Sequence, residues 1–593
     1  MEYKAVKPDS TIERIEQIIA SLGISFNKTY FGKEGVTNSV RVDMIADGRT
    51  CMSIGSNGKG LDTSYALASA YGEFMERVQN KMLFITTNFS TQQFCRNNGD
   101  LSGSIDTALY FRYFPDESYK TITQKELSDW IKVLLPLSDC KHSNIDGKSY
   151  DMPFINFYNV KAEQVENLPY DLVRFASGST GLCAGNTPQE AILQGINEIF
   201  ERFVLQRLYI DKPILPTIPK EYFQDTEILS RIKQVEAEKG WKFIIKDCSI
   251  NKGFPVIGLL VIDSFNARYT FRLGADLSPE IALQRCFTEI FQGTNISDSI
   301  FIPFDISQKW DVSEEYNKNV VNGRGQFCNN IFLNETTEFI FDISKYPEQK
   351  DSIDESLKSV FSWLKKNDYN VFIRDNSFLG FPAFHIYIPG LSDIDSRLFD
   401  IWTVLKDTDE YYTIPAEYRL KHITKSEARM LIEKYSADKQ DFIQLFPYST
   451  GAGNIIDREL LVALLSCYIE DYGSASRHMD KFLQTRCKSK EQFIYYYVVR
   501  DFFALKDLNT SHVDIKSQLA CMYPTNVVTE VLKDLHTPED ILKNFPFPEC
   551  FDCNNCPIRN NCIRQTILDV ERNIQSLQKE NYIDQRRIEQ LFK

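Results

Sequence analysis

Long apolar runs, histidine and an excess of positive charge are what this 593-residue chain lacks. Its most apolar stretch, Val256 to Ile262, falls far short of the roughly 20 residues a membrane span needs, and it reads as a buried strand. The first residues, MEYKAVKPDSTIERIEQ, lack the apolar core of a signal peptide, so a cytoplasmic enzyme is expected. Lys plus Arg number 67 against 81 Asp plus Glu, a net charge of -14. That balance excludes a broad nucleic-acid surface, though not a local basic groove. None of the six histidines lies near another ligand-type cluster, and all are read as structural or solvated. Low-complexity segments and obvious linkers are missing too. With 43% hydrophobic and 13% aromatic residues the chain is not disordered, and its length suffices for two or more domains with large cores.

What is present is a pattern written three times. Ala66 to Arg77 (ALASAYGEFMER), Ala191 to Arg202 (AILQGINEIFER) and Ala282 to Gly293 (ALQRCFTEIFQG) superimpose without gaps. Ser69, Gln194 and Arg285 fall at position i, Glu73, Glu198 and Glu289 at i+4, and Glu76, Glu201 and Gln292 at i+7. On a helix that spacing puts the three side chains on one face. The other positions are mostly apolar or small, so these read as packed helices carrying acids inward. If the faces converge, at least five carboxylates share a cavity, and they need shifted pKa values or a compensating cation. Mg2+, which usually comes with substrate phosphates, is the expected remedy.

Helix starts agree with that placement. Asp62-Thr63, Thr187-Pro188 and Ser278-Pro279 are capping residues set before or against the first turn. Glu190 then has the position of the third residue in a capping box, one turn ahead of Gln194 on the acidic face. Glycine-rich segments, Gly55 to Gly60 and Ser177 to Asn186, precede two of the helices and read as turns whose N–H groups would cradle an anion. Neither is a Walker-type loop, since GKG lacks a following Ser or Thr.

A second chemical feature lies near the end. Cys550, Cys553, Cys556 and Cys562 form C-x2-C-x2-C-x5-C, while the other ten of the 14 cysteines are scattered. Without an export signal, four clustered thiols point to metal rather than disulfides. Either Zn2+ or an iron–sulfur cluster suits them. The close packing, and the likeness of CNNCPIRNNC to auxiliary-cluster segments of peptide-modifying radical enzymes, leans towards iron–sulfur.

Together the spaced motifs resemble the YcaO family. The resemblance rests on Ser69-x3-Glu73-x2-Glu76-Arg77, the block from Ala184 to Arg202, Arg285 to Gln292, the GKG of Gly58 to Gly60, and PGLSD at Pro389 to Asp393. It covers roughly the first 410 residues; length and trailing helices look most similar to the enterobacterial member. The resemblance implies an ATP- and Mg2+-dependent enzyme that phosphorylates a peptide backbone amide after a nucleophile has added to it, giving an azoline or a thioamide. It implies Glu73, Glu76, Glu198 and Glu201 as metal- and phosphate-binding acids with Arg285 beside them. It further implies Lys7, Ser69, Arg77, Asn186, Glu190, Gln194 and Glu289 as nucleotide contacts, with Arg14 and Arg202 as lesser candidates. A peptide or protein substrate, a sulfur-donor, leader-recognition or radical-enzyme partner, and a homodimer follow as expectations. An alternative also follows: a non-catalytic, ATP-binding accessory factor for β-methylthiolation of a small-subunit ribosomal protein.

Two departures bear on the product. Azoline-forming relatives end in a proline-rich tail, whereas this sequence ends Glu589-Gln590-Leu591-Phe592-Lys593, and no leader-recruiting segment precedes the first motif. Cys183 stands where relatives often carry a small hydroxyl residue. The expected architecture is an α+β, YcaO-type catalytic domain with mixed sheets and acid-bearing helices over residues 1–410, followed by an all-α region. That region divides into a helical stretch (411–549), not clearly a 34-residue repeat, and a Cys-rich segment with a closing helix (550–593). Helices are expected at Lys425 to Tyr435, Glu459 to Tyr472, Ala475 to Leu483 and Lys490 to Ala504, and strands at Val371 to Ile373 and Phe384 to Ile388.

Overall fold

The computed structural model describes residues 4–33, 36–83, 114–136, 149–292, 300–334, 336–394, 420–437, 441–444, 455–487, 489–545 and 564–592, and residues 416, 547 and 560 singly. Cys550, Cys553, Cys556 and Cys562 lie outside the described residues.

Helix α1 (Pro8–Ser21) leads into a three-stranded meander, β1 (Ile24–Lys33), β2 (Thr37–Ala46) and β3 (Arg49–Gly60). Helix α2 (Thr63–Gln79) packs against β3 and β2. A larger sheet follows in the order β4 (Ser118–Thr123), β5 (Ser149–Asn159), β12 (Phe372–Asp375), β13 (Ala383–Tyr387), β7 (Leu182–Ala184), with β6 (Gln164–Pro169) also on β5. Helix α3 (Pro188–Ile210) leaves β7 and lies on β13. A four-stranded sheet, in the order β11 (Ile302–Pro303), β10 (Arg268–Ala275), β9 (Val256–Asp263), β8 (Lys242–Asp247), carries α4 (Pro279–Ile290). Every strand pairing among the described residues is antiparallel. The apolar run Val256 to Ile262 is β9, buried along almost its whole length as its composition requires.

One of the two glycine-rich segments differs from the sequence expectation. Gly55 to Gly60 is not a turn; it is the end of β3, in register with β2 through Gly60 opposite Asn38. The glycines are there for close approach. A Cβ on Gly58 would stand 2.0 Å from the Ala66 carbonyl oxygen and 2.3 Å from the Ala70 nitrogen, and one on Gly60 would stand 2.6 Å from the Ala66 nitrogen. The strand therefore lies directly on the backbone of α2. The segment from Ser177 does bend, with positive φ at Gly178 (55°) and Gly181 (86°), before extending into β7.

Beyond the last sheet, residues Leu420 to Phe547 close a core of their own. Its helices include Lys425–Ala437, Arg458–Tyr468, Tyr472–Arg486 and Lys490–Asp507. The helix expected from Glu459 to Tyr472 ends at Tyr468, and the next begins at Tyr472 instead of Ala475: Glu470 takes φ 67°, and Asp471 accepts from the Ser474 nitrogen to cap the second helix. A two-stranded ribbon, Phe442–Gln444 with Ile455–Asp457, interrupts the otherwise helical region. The closing helix, Arg564–Glu580, returns to the front of the molecule, where Ile567, Val570 and Ile574 join the core of α1, α2 and the first sheet. His385 is buried between the rings of Phe157 and Tyr170, a core position consistent with its lack of any assigned role.

Candidate functional site

Each acid-bearing helix starts where its cap dictates. Asp62 accepts from the Tyr65 nitrogen (2.8 Å), Thr187 Oγ1 from the Glu190 nitrogen (3.2 Å), and Ser278 Oγ from the Ile281 nitrogen (3.5 Å), with Pro188 and Pro279 at the first helical positions of α3 and α4. Helix α4 ends at Ile290, so Gln292 stands just beyond it rather than on its last turn. Packing fixes the rotation of all three. In α3, Ala191, Ile192, Ile196, Ile199 and Phe200 are buried, and the polar positions 194, 198, 201 and 202 are left to face outward.

The three polar faces meet. A cavity of about 380 Å3 is lined by Ser69, Glu73, Glu76 and Arg77 of α2, by Glu190, Gln194, Glu198, Glu201 and Arg202 of α3, and by Arg285, Glu289 and Gln292 at α4. Asn186, Asn57, Lys59, Lys4, Thr11 and Phe381 also stand on the wall. Of the nucleotide contacts expected from sequence, Lys7 and Arg14 do not line it; Lys7 is exposed and its carbonyl begins α1. Arg14 lies at the edge, donating to the carbonyls of Asn186 (3.2 Å) and Gly380 (2.5 Å) over the Phe381 ring.

Within the cavity the charges fall into two groups. Some acids are engaged. Glu73 accepts from Arg77 Nε (2.9 Å) and from the Asn57 nitrogen (3.2 Å), and Glu289 is ion-paired with Lys59. Arg285 donates to Gln194 Oε1 (2.6 Å) and to Asp276 (3.3 Å). Glu190 does not close a capping box: its carboxylate instead accepts from the Ala5 nitrogen (3.0 Å) and Asn186 (3.2 Å) and pairs with Lys4 (3.3 Å), pinning the segment ahead of α1. The reason is local charge, since a cation and a free N–H lie within its reach. The remaining acids are not engaged. Among the described residues no hydrogen bond or ion pair ends on the carboxylates of Glu76, Glu198 or Glu201.

Two of these acids, Glu76 and Glu198, carry the electrostatic strain. Burial holds the Glu76 carboxyl well above its usual range, and Glu198 and Glu73 push it further. Burial raises Glu198 to about 7, with Arg202 opposing and Glu201 reinforcing. Lys59 is drawn down to about 8 by burial, against the attraction of Glu201. Cys183 lies beneath, fully buried, its Sγ 3.6 Å from the Phe384 carbonyl; burial first, then Glu76 and Glu198, push the thiol well up, and it stays protonated.

These residues fit Mg2+ in kind. Among the described residues, three carboxylates without protein partners face one cavity, and two of them, Glu76 and Glu198, resist ionisation; such oxygens are the donors a hard cation takes. As the side chains lie, no three His, Cys, Asp or Glu among the described residues converge at ligand distance. Mutual repulsion and the competing pairs with Arg77 and Lys59 account for that spread. Wall residues that escaped the sequence reading include Lys59, noted only within GKG, and Asn57, Lys4, Thr11 and Phe381; Asp276, the partner of Arg285 outside that lining, escaped it too. The signal for Lys59 was the two-residue period of a strand, hidden by reading the segment as a turn.

The cavity is acid-walled, with cations at its rim, and is framed by three helices packed on three sheets. The residues 57–392 match the family model described as YcaO cyclodehydratase, ATP- and Mg2+-binding, and the chain belongs to the YcaO family. Among curated relatives, an uncharacterized protein of Haemophilus influenzae is 27% identical over 399 residues. The ribosomal protein S12 methylthiotransferase accessory factor YcaO of Escherichia coli is 26% identical over 405 residues. Each alignment spans 65% of this chain and 65% of the relative's length. A heterocyclase solved in complex with substrate and cofactor is similar at 16% identity and TM-score 0.47, over 68% of this chain and 55% of that one. Among the described residues no helix is long and apolar enough to cross a membrane.

Proposed function

We propose that this chain uses ATP and Mg2+ to activate the backbone amide of a peptide or protein by phosphorylating its oxygen, leading to a thioamide or azoline-type product. The observation that carries the reading is the trio Glu76, Glu198 and Glu201, unpartnered among the described residues in a cavity wide enough for a nucleotide, with Glu76 and Glu198 held against their own ionisation. Mg2+ held by those acids, with Glu73 beside them, would neutralise the phosphate charge. The protein's remaining task is positioning. Arg285, braced by Gln194 and Asp276, presents a fixed cation, and Arg202 and Arg77 add charge at the wall. Ser69, Asn186 and Gln194 offer neutral contacts for the nucleotide. Such a site performs phosphoryl transfer by geometry and charge, with no covalent protein nucleophile. In the reaction itself a thiol, hydroxyl or sulfide adds to the amide carbon and gives up its proton, and the former amide oxygen takes the γ-phosphoryl group from ATP to leave ADP. Departure of phosphate with a further proton then leaves either a ring C–S or C–O bond beside C=N, or a C=S bond.

Phosphate release from ATP, measured with and without added substrate peptide, tests this. Peptide-stimulated release, with a product lighter by one water or carrying sulfur for oxygen, is the expected result; ATP turnover indifferent to every peptide offered would oppose it. The likeness to the accessory factor of Escherichia coli favours a second reading, in which the chain binds ATP but serves a partner methylthiolating enzyme. That reading expects nucleotide binding with no change of peptide mass unless the partner is added.

The four clustered cysteines support a further proposal: Cys550, Cys553, Cys556 and Cys562 hold an iron–sulfur cluster, or Zn2+ in its place. Protein purified without oxygen should show visible absorption that vanishes on Cys553→Ala. A colourless protein with one equivalent of zinc gives the other metal, and a colourless, metal-free protein contradicts both.

A further inference from the structure

We propose that Lys59 is the residue that grips the nucleotide's terminal phosphates, and that its ion pair with Glu289 is the resting position from which the phosphates draw it. The inference rests on the nucleotide reading above and goes past it, because it assigns phosphate recognition to a strand residue outside the three acid-bearing helices.

The direction of the side chain is fixed by its neighbours. Gly58 and Gly60 are pressed on the backbone of α2, so close that neither tolerates a Cβ. Successive residues of a strand point to opposite faces. Lys59 is thereby sent away from the body of α2 and towards α4, where its ammonium meets Glu289. Side chains of Lys59 and Glu289 both remain open to the cavity, 30 and 33% exposed.

Its surroundings come from all three helices. Glu201 of α3 and Glu73 of α2 attract the ammonium, while Arg285 of α4 and Arg202 of α3 repel it. A cation in that position stands at the junction of the acid faces, where the phosphate charge must be matched. Two other cations of the wall, Arg77 and Arg285, are less available for exchange. Arg77 is tied to Glu73 through two nitrogens, and Arg285 to Gln194 and Asp276. A lysine ammonium is a compact charge on a flexible stem and changes partners without losing a planar fork of bonds. A phosphate oxygen also accepts more strongly than a carboxylate whose neighbours already compete for cations.

Titration calorimetry of the full chain with a non-hydrolysable ATP analogue and Mg2+, and separately with AMP, tests the assignment. Lys59→Met should weaken the analogue about ten- to a hundred-fold while leaving AMP affinity as in the wild type, because a charge-assisted bond to the outer phosphates is lost. Glu289→Gln, which releases the ammonium, should bind the analogue several-fold more tightly. Equal loss for analogue and AMP in Lys59→Met, or unchanged analogue affinity, overturns the proposal. So does a Glu289→Gln variant that binds the analogue more weakly, a result that stands even if Lys59→Met fails to fold. Failure of the wild type to bind the analogue would instead remove the nucleotide reading itself.

Discussion

Replacing Glu76 and Glu201 together by alanine should weaken Mg2+-dependent ATP binding by about a hundred-fold or more, since loss of groups that only orient metal ligands already costs 10- to 100-fold. The same double variant should melt at a higher temperature than the wild type when both are free of metal and nucleotide. The two effects have one cause. Burial with Glu198 and Glu73 makes Glu76 costly to ionise, and among the described residues no cation is paired with it or with Glu201. Removing such charges relieves repulsion in the folded state while it deletes the ligand set, the trade between stability and function expected of a charged site. Thermal melting with and without Mg2+ and ATP measures both at once. A double variant that melts lower and binds nucleotide normally would show that these acids only stabilise the helices.

The second large effect is steric. Gly58→Ala should cost about 3 kcal/mol or more, because the new methyl would meet backbone atoms of α2 at 2.0 and 2.3 Å and no side chain can swing aside to admit it. The helix that must move carries Ser69, Glu73 and Glu76, so nucleotide affinity should fall along with the melting temperature. Gly72, in the middle of the same helix, is the control: a Cβ there meets nothing within 4 Å, and Gly72→Ala should stabilise by about 0.5–1 kcal/mol. Denaturant unfolding of the two variants compares them directly. Equal stability for Gly58→Ala and wild type would refute the tight packing of β3 on α2.

How much of this was legible beforehand follows from which physics is local. The three acid faces were readable because spacing along a helix determines which side chains share a face, and the apolar remainder fixed which way each helix would roll. Caps at Asp62, Thr187 and Ser278 were readable for the same reason. Long-range contacts were not. Nothing adjacent to Glu190 announces that Lys4 and the Ala5 nitrogen would arrive from the chain's start and take its carboxylate from the expected capping box. Glycines in Gly55 to Gly60 signalled a turn by composition, yet their cause was an approaching helix backbone that appears only after β3 and α2 dock. Lys7 was placed by analogy, and α1 leaves it outside the cavity wall. The return of the closing helix to the core of α1 and α2 likewise depends on contacts more than 500 residues apart, such as Ile15 with the cluster holding Ile567 and Ile574.

A structure determined with Mg2+ and a non-hydrolysable ATP analogue tests the central claim most directly. The account predicts a metal ion bridging phosphate oxygens to carboxylates among Glu76, Glu198 and Glu201, with Arg285 turned towards the nucleotide. Nucleotide bound elsewhere, or bound in this cavity with those three carboxylates turned away from both metal and phosphate, would contradict it.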